Sequence, residues 1–195
     1  MDSFLFCLIL VAGIAFGGRE QLLLARLSDA LADRSGPLVR RPFPVLALGV
    51  VCACLSAGVM TYGALAIAAL LPSRAAWMLV AFALAIAAFE LAWPVRLKSL
   101  AEPTRSLGAI GLVVLWRQVG DGPRFVIFAF AAQANYPLTA LAGGALGGIF
   151  AVAAGWMLGA ETLQNWPLRW IRLALAVCLM LAAVLIGLNV RYGIN

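Results

Sequence analysis

The sequence contains no histidine and few charged residues. Of its 195 residues, 11% are charged and 65% are apolar, whereas soluble domains average about 25% charged and 45–50% apolar. The four cysteines form no Cys-x-x-Cys pair, and neither a nucleophile–base pair nor a metal-ligand cluster is recognisable. These absences argue against a soluble protein and against an enzyme.

The first ten residues, MDSFLFCLIL, lack the positive segment with which a signal peptide begins. We therefore expect them to belong to a genuine membrane span. The net charge of +6 comes from basic residues between apolar runs. This distribution indicates a lipid bilayer as the partner and gives no reason to expect nucleic acid.

The basic residues also predict an orientation. They concentrate in the connections at 28–42, 95–105 and 161–172. Because positively charged loops mark the cytoplasmic side, these three connections are expected in the cytoplasm and both termini outside. The sequence thus predicts an integral protein of a bacterial inner membrane.

Six apolar runs follow one another along the chain, and each is about long enough to cross a bilayer as a helix. They cover residues 4–27, 43–71, 75–94, 106–133, 137–160 and 168–190. Eight of the nine prolines lie outside these runs or at their ends, where they do not disrupt a helix. The sequence predicts an all-α membrane protein with six transmembrane helices.

The two halves of the chain resemble each other. Span 1 contains AFGGREQLLLA and span 4 contains QVGDGPRFVIFA at a similar depth. Three spans per half is an odd number, so the second half must be inverted relative to the first, as in many transporters. We expect two three-helix repeats, at 1–94 and 106–195, joined by a cytoplasmic linker at 95–105.

Helix-breaking residues lie within spans 1 and 4. Span 1 has Gly17 and Gly18, and span 4 has Gly120, Gly122 and Pro123. Proline removes a helix hydrogen bond, and irregular backbone at membrane depth persists only where protein or a water-lined cavity satisfies it. Paired interruptions in matching halves predict a binding site near the midplane.

Ionisable and amide side chains accompany both interruptions. Such groups are costly inside a bilayer, so they normally face the protein interior and have partners. The candidate site residues are Gly17, Gly18, Arg19, Glu20, Gln21, Arg117, Gln118, Gly120, Asp121 and Arg124, with Gly122 and Pro123 forming the break. One interpretation is a transport site, and the other is charge pairs that lock two helices together. Glu90 and Glu161, near span ends, are expected at the membrane interface.

The whole chain resembles the Gdt family of manganese/calcium–proton exchangers, which belongs to the lysine-exporter superfamily. That family carries Glu-x-Gly-Asp-Lys/Arg-Thr/Ser in spans 1 and 4. Gly17 and Arg19 match the first copy, Gln21 matches the glutamine that often follows it, and Gly120 and Asp121 match the second copy. The resemblance implies a secondary transporter that exchanges a divalent cation for protons. It implies that Asp121 is a ligand of the transported ion and that no cofactor is needed.

The sequence departs from this family at three acidic positions, which are occupied by Ala15, Gly18 and Gln118. Divalent cations such as calcium prefer several oxygen ligands, and carboxylates supply both ligand and charge. The charged groups near the breaks sum to +1, with Arg19, Arg117 and Arg124 against Glu20 and Asp121. Two alternatives therefore stay open: a carrier of a different small solute on the same fold, and a non-transporting membrane subunit.

Overall fold

The computed structural model describes residues 2–32, 41–94 and 106–193, and all its regular secondary structure is helical. The predicted linker at 95–105 lies outside the described residues. The eight helices of the described part are α1 (Asp2–Ala15), α2 (Arg19–Ala30), α3 (Phe43–Leu70), α4 (Ser73–Ala92), α5 (Leu107–Val119), α6 (Gly122–Gln133), α7 (Pro137–Asn165) and α8 (Leu168–Tyr192).

Prolines mark the starts of the four long helices. Pro42, Pro72 and Pro167 precede the first residues of α3, α4 and α8, and α7 begins at Pro137. A proline at this position costs nothing, because the first N–H groups of a helix have no partner within it. The apolar runs and their proline boundaries thus become the helices and their starts.

Four helices, α3, α4, α7 and α8, are long and apolar enough to cross a membrane. The pair α1–α2 would be a fifth span, bent by 60° at its interruption. These helices are compatible with an integral membrane protein. Predicted span 4, at 106–133, is divided into α5 and α6, and α5 alone is a short apolar helix.

Helix α7 contains a further interruption that the sequence analysis did not predict. Gly159 has φ +79° and ψ 165°, outside the helical region, so the last turns of α7 change direction there. Essentially only glycine adopts this conformation. The kink lies near the end of α7 that contacts α2.

The helices pack in two groups around α6 and α7. The first two helices, α1 and α2, pack along α7, while α4 packs extensively on both α8 and α6. Helix α5 lies against α3. The largest apolar core joins residues of α1, α3, α4, α6, α7 and α8. The chain therefore brings α2, α4, α5 and α6 together where the two interruptions lie.

Each half of the described chain has the same order of helix lengths. Two short helices, α1 and α2 or α5 and α6, are followed by a helix of 28 or 29 residues and then by one of 20 or 25. The interruptions separate the two short helices of each half.

Candidate functional site

One cavity lies between residues that follow the first interruption and residues of the second. Its volume is about 360 Å³, and its walls come from α2, α4, α5 and the turn between α5 and α6. The lining side chains are Arg19, Glu20, Leu23, Glu90, Arg117, Gly120 and Asp121. Five of these seven residues are predicted site residues, and they form a compact group that one solute could contact.

A second, much smaller cavity lies beside the first, and Glu20 and Asp121 line both. Its volume is about 20 Å³. Ala15, Gln118 and Arg124 also line it. Two of the positions where the Gdt motif has carboxylates, 15 and 118, thus meet Asp121 at one point.

The backbone of the first interruption is satisfied by side chains. Gly17 has φ +71°, and its N–H donates to Gln21 Oε1 at 2.6 Å. Gln21 in turn donates from Nε2 to the Ala151 carbonyl at 2.8 Å. Arg172 Nη1 donates to the Gly17 carbonyl at 2.7 Å. These bonds give partners to backbone groups that the interruption leaves without helix hydrogen bonds.

The second interruption has its own set of partners. Helix α5 ends at Val119 and α6 begins at Gly122, with extended backbone at Asp121. Pro123 lies in the first turn of α6, where its missing N–H is not needed. The N–H of Gly122 donates to Glu90 Oε2. The Glu90 carboxylate thereby lies at the positive end of α6, which favours a negative charge.

Glu90 and Arg172 are site residues that the sequence analysis did not identify. Glu90, for which the sequence predicts a position near the membrane interface, lines the larger cavity and accepts a hydrogen bond from the second interruption. Arg172, assigned to a cytoplasmic connection, is buried in α8 and binds the first. The only feature of the sequence that marks either residue is that a charge lies a few residues inside the end of a predicted span.

Asp121 is buried, as the cost of a charge in a bilayer predicts, but it forms no ion pair. Across the described residues the only ion pair joins Arg41 to Asp29, so Asp121 makes none with Arg19, Arg117 or Arg124. Asp121 instead shares the wall of the larger cavity with Glu20 and Glu90, and that of the smaller cavity with Glu20 and Arg124. The site is therefore a cluster of unlike charges without direct ion pairs.

Several buried polar atoms at the site have no hydrogen-bond partner. They are Arg19 Nε, Glu20 Oε1, Gln118 Nε2 and Arg124 Nε and Nη1. Gln118 is otherwise held by the Ser56 hydroxyl, 3.1 Å from its Oε1. Unpartnered groups of this kind commonly mark a place for water, an ion or a ligand.

The remaining predicted residues occupy more peripheral positions. Gly17 lines a third cavity of about 380 Å³, between α2 and the start of α8. A side chain at Gly18 would lie 2.9 Å from the Ala15 carbonyl oxygen. In the described ranges no three His, Cys, Asp or Glu side chains are arranged to hold a metal ion, and Asp121 as a metal ligand stays a prediction.

Comparisons with protein-family models, with curated protein sequences and with solved structures find no match to this chain.

Proposed function

We propose that the chain is a secondary transporter of the Gdt type that exchanges a divalent cation, manganese or calcium, for protons, rather than an enzyme. The observation that carries this proposal is that Glu20, Glu90 and Asp121 line one cavity beside two interrupted helices. Carboxylate oxygens are ligands that hard cations prefer. Carboxylates also accept protons, so one set of side chains can serve both ions in turn.

Glu90 changes the charge balance on which the substrate depends. The larger cavity has two arginines, Arg19 and Arg117, against three carboxylates, so its lining sums to −1. The sum of +1 from the sequence alone leaves out Glu90 and includes Arg124, which lines the smaller cavity; with both residues counted the sum is 0. A cation therefore meets a more favourable field than the motifs suggest.

The equivalent helix order of the two halves supports the same proposal. Each half has two short helices around an interruption, then two longer helices. We propose that they are inverted repeats, with α5 and α6 together forming span 4. Transporters of this plan bind substrate between discontinuous helices, where free backbone groups face the ion.

A carrier of a different small solute is the second candidate, because Arg19 and Arg117 also line the cavity. Guanidinium groups favour a solute that bears a carboxylate or phosphate. A non-transporting subunit is the third, and it is favoured by the role of Glu90 in holding the backbone of α6.

Uptake into proteoliposomes separates these candidates. We expect the purified protein to accumulate Mn²⁺ or Ca²⁺ when a proton gradient is imposed, and Glu20→Gln and Asp121→Asn to slow uptake by about tenfold or more, since affinity follows the charge of the ligands. Glu161→Gln is the matched control, because Glu161 is an exposed carboxylate outside the cavity. Uptake of an anionic solute instead would favour the second candidate, and a well-folded parent without any flux would favour the third.

A further inference from the structure

Arg124 lies in the small cavity between the two interruptions. Its side chain is 3% exposed, and Glu20, Gln118 and Asp121 line the same cavity. The glycine at 148 makes room for it, because a Cβ there would lie 3.0 Å from Arg124 Nη1. A guanidinium stays protonated in proteins, so a permanent positive charge lies where the two halves meet.

The charges around Arg124 face one another across a narrow gap. Arg124 Nε and Nη1 and Glu20 Oε1 are buried without hydrogen-bond partners. Glu20 and Asp121 are the two carboxyl groups among the residues that line the cavity with Arg124. The gap of about 20 Å³ is large enough for one water, which needs roughly 10–15 Å³. A water molecule or a bare ion can therefore lie between the carboxylates and the guanidinium.

We propose that Arg124 is a resident cation of the transport site. Its guanidinium balances Glu20 and Asp121 while no substrate cation is bound, and a substrate cation must overcome or displace that charge to bind the same carboxylates. Two like charges a few ångströms apart repel strongly in a buried site of low dielectric constant. Arg124 thus lowers the affinity for the cation and favours its release. This inference rests on the proposed cation site.

The test is Mn²⁺ binding to the purified protein in lipid nanodiscs, measured by equilibrium dialysis. We expect Arg124→Gln to bind Mn²⁺ about tenfold more tightly or better, because it removes a positive charge next to both carboxylates. Arg124→Lys keeps the charge and should stay close to the parent. Arg117→Gln is the matched control, because it removes the same charge from the wall of the larger cavity, and its gain should be smaller.

Several outcomes would overturn the inference. They are a folded Arg124→Gln variant that binds Mn²⁺ no more tightly than the parent, an equal gain in Arg117→Gln, and chloride-dependent thermal stabilisation that the parent shows and Arg124→Gln loses. The last would indicate a bound anion instead of an internal charge balance. Because dialysis needs no transport, failure of the parent to take up cations would contradict the proposed function alone.

The double variant Glu20→Gln/Arg124→Gln covers the case in which Arg124→Gln does not fold. Removing one member of a buried charge pair is far more destabilising than removing both. We expect the double variant to recover the thermal stability that the single variant loses. Absence of recovery would show that Glu20 is not the counter-charge of Arg124 and would overturn the inference.

Discussion

Gly17 determines the geometry of the first interruption. Its φ of +71° is left-handed, which costs other L residues about 1–2 kcal/mol. A Cβ at this position would also lie 2.8 Å from Leu168 Cδ1. The backbone groups of Gly17 bind Gln21 and Arg172, so a shift at this residue would disturb α2, α7 and α8 together.

We expect Gly17→Ala to lower the free energy of unfolding by about 1–3 kcal/mol, since a strained backbone conformation and a steric contact add. The measurement is reversible unfolding in detergent micelles. Gly13→Ala is the matched control, because a Cβ at position 13 meets nothing within 4 Å. Equal stability of the two variants would contradict the role assigned to Gly17.

Gln21 provides a second test at the same place. Its amide accepts from Gly17 N–H and donates to the Ala151 carbonyl. Gln21→Leu leaves both backbone groups without these partners, and we expect a loss of about 1–3 kcal/mol in unfolding free energy. Gln21→Asn is the comparison with the same chemistry and a shorter reach. A leucine variant as stable as the parent would mean that water replaces the glutamine.

The burial of Asp121 is predictable from the sequence, whereas its neighbours are not. Burial follows from the cost of a charge in a bilayer, which needs only the position of one residue in one span. Glu90 and Arg172 belong to spans 3 and 6, and their distance from the interruptions depends on where α4 ends and α8 begins. The spacing of residues within a single span carries no information about how close a residue lies to an interruption in another span.

At the scale of elements, the kink of α7 is tied to the end of α2. Asp29 Oδ2 accepts from the Ala160 N–H at 2.8 Å, one residue after the non-helical Gly159. Arg41 Nε donates to Asp29 Oδ1 at 2.9 Å, and Arg41 Nη1 donates to the Met157 carbonyl at 2.5 Å. One carboxylate thus connects α2, the segment before α3, and α7.

We expect Asp29→Ala to lower the unfolding free energy by about 1–3 kcal/mol, because it leaves the Ala160 N–H and the Arg41 guanidinium without their acceptor. Asp29→Asn keeps one carbonyl oxygen and should lose about half as much. Glu161→Ala is the control, since Glu161 is an exposed carboxylate next to the kink. If alanine and asparagine at 29 behave alike, the hydrogen bond to Ala160 contributes nothing.

The two interruptions between short helices can be predicted from the sequence, but the kink at Gly159 cannot. Gly120, Gly122 and Pro123 are three helix-breaking residues close together and next to charged residues. Such a cluster is unusual inside an apolar run. Gly159 instead continues a four-residue spacing of small residues in α7, a pattern that equally fits a straight helix in close contact with its neighbours. Only the contact of Asp29 with the neighbouring Ala160 distinguishes Gly159 from the other small residues of α7.

At the scale of the whole molecule, the two ends of the bundle are unequal. Helix α6 packs extensively on α4, whereas α8 has extensive contact only with α4 and not with α2. If the halves are inverted repeats, the contact of α6 with α4 is equivalent to a contact of α2 with α8. Where α2 and α8 would make this contact, there is a cavity of about 380 Å³. Its lining includes Leu22 of α2 and Leu173 of α8. We infer a second state in which α8 closes on α2.

Cysteine pairs test this second state in a background with the chain's four cysteines replaced by alanine. We expect a disulfide between Leu22→Cys and Leu173→Cys to form under mild oxidation and to stop cation uptake, because it holds α2 against α8 and prevents reopening of the cavity.

Ala81→Cys with Gly187→Cys is the matched control. A Cβ at position 187 lies 3.9 Å from Ala81 Cβ, which suits a disulfide, and it joins α4 to α8 within one packed pair. That bond should form readily and leave uptake intact, provided that α4 and α8 move together. Uptake that survives the α2–α8 disulfide would exclude closure of this cavity as a step of transport, and uptake lost in the control would show that α4 and α8 must separate.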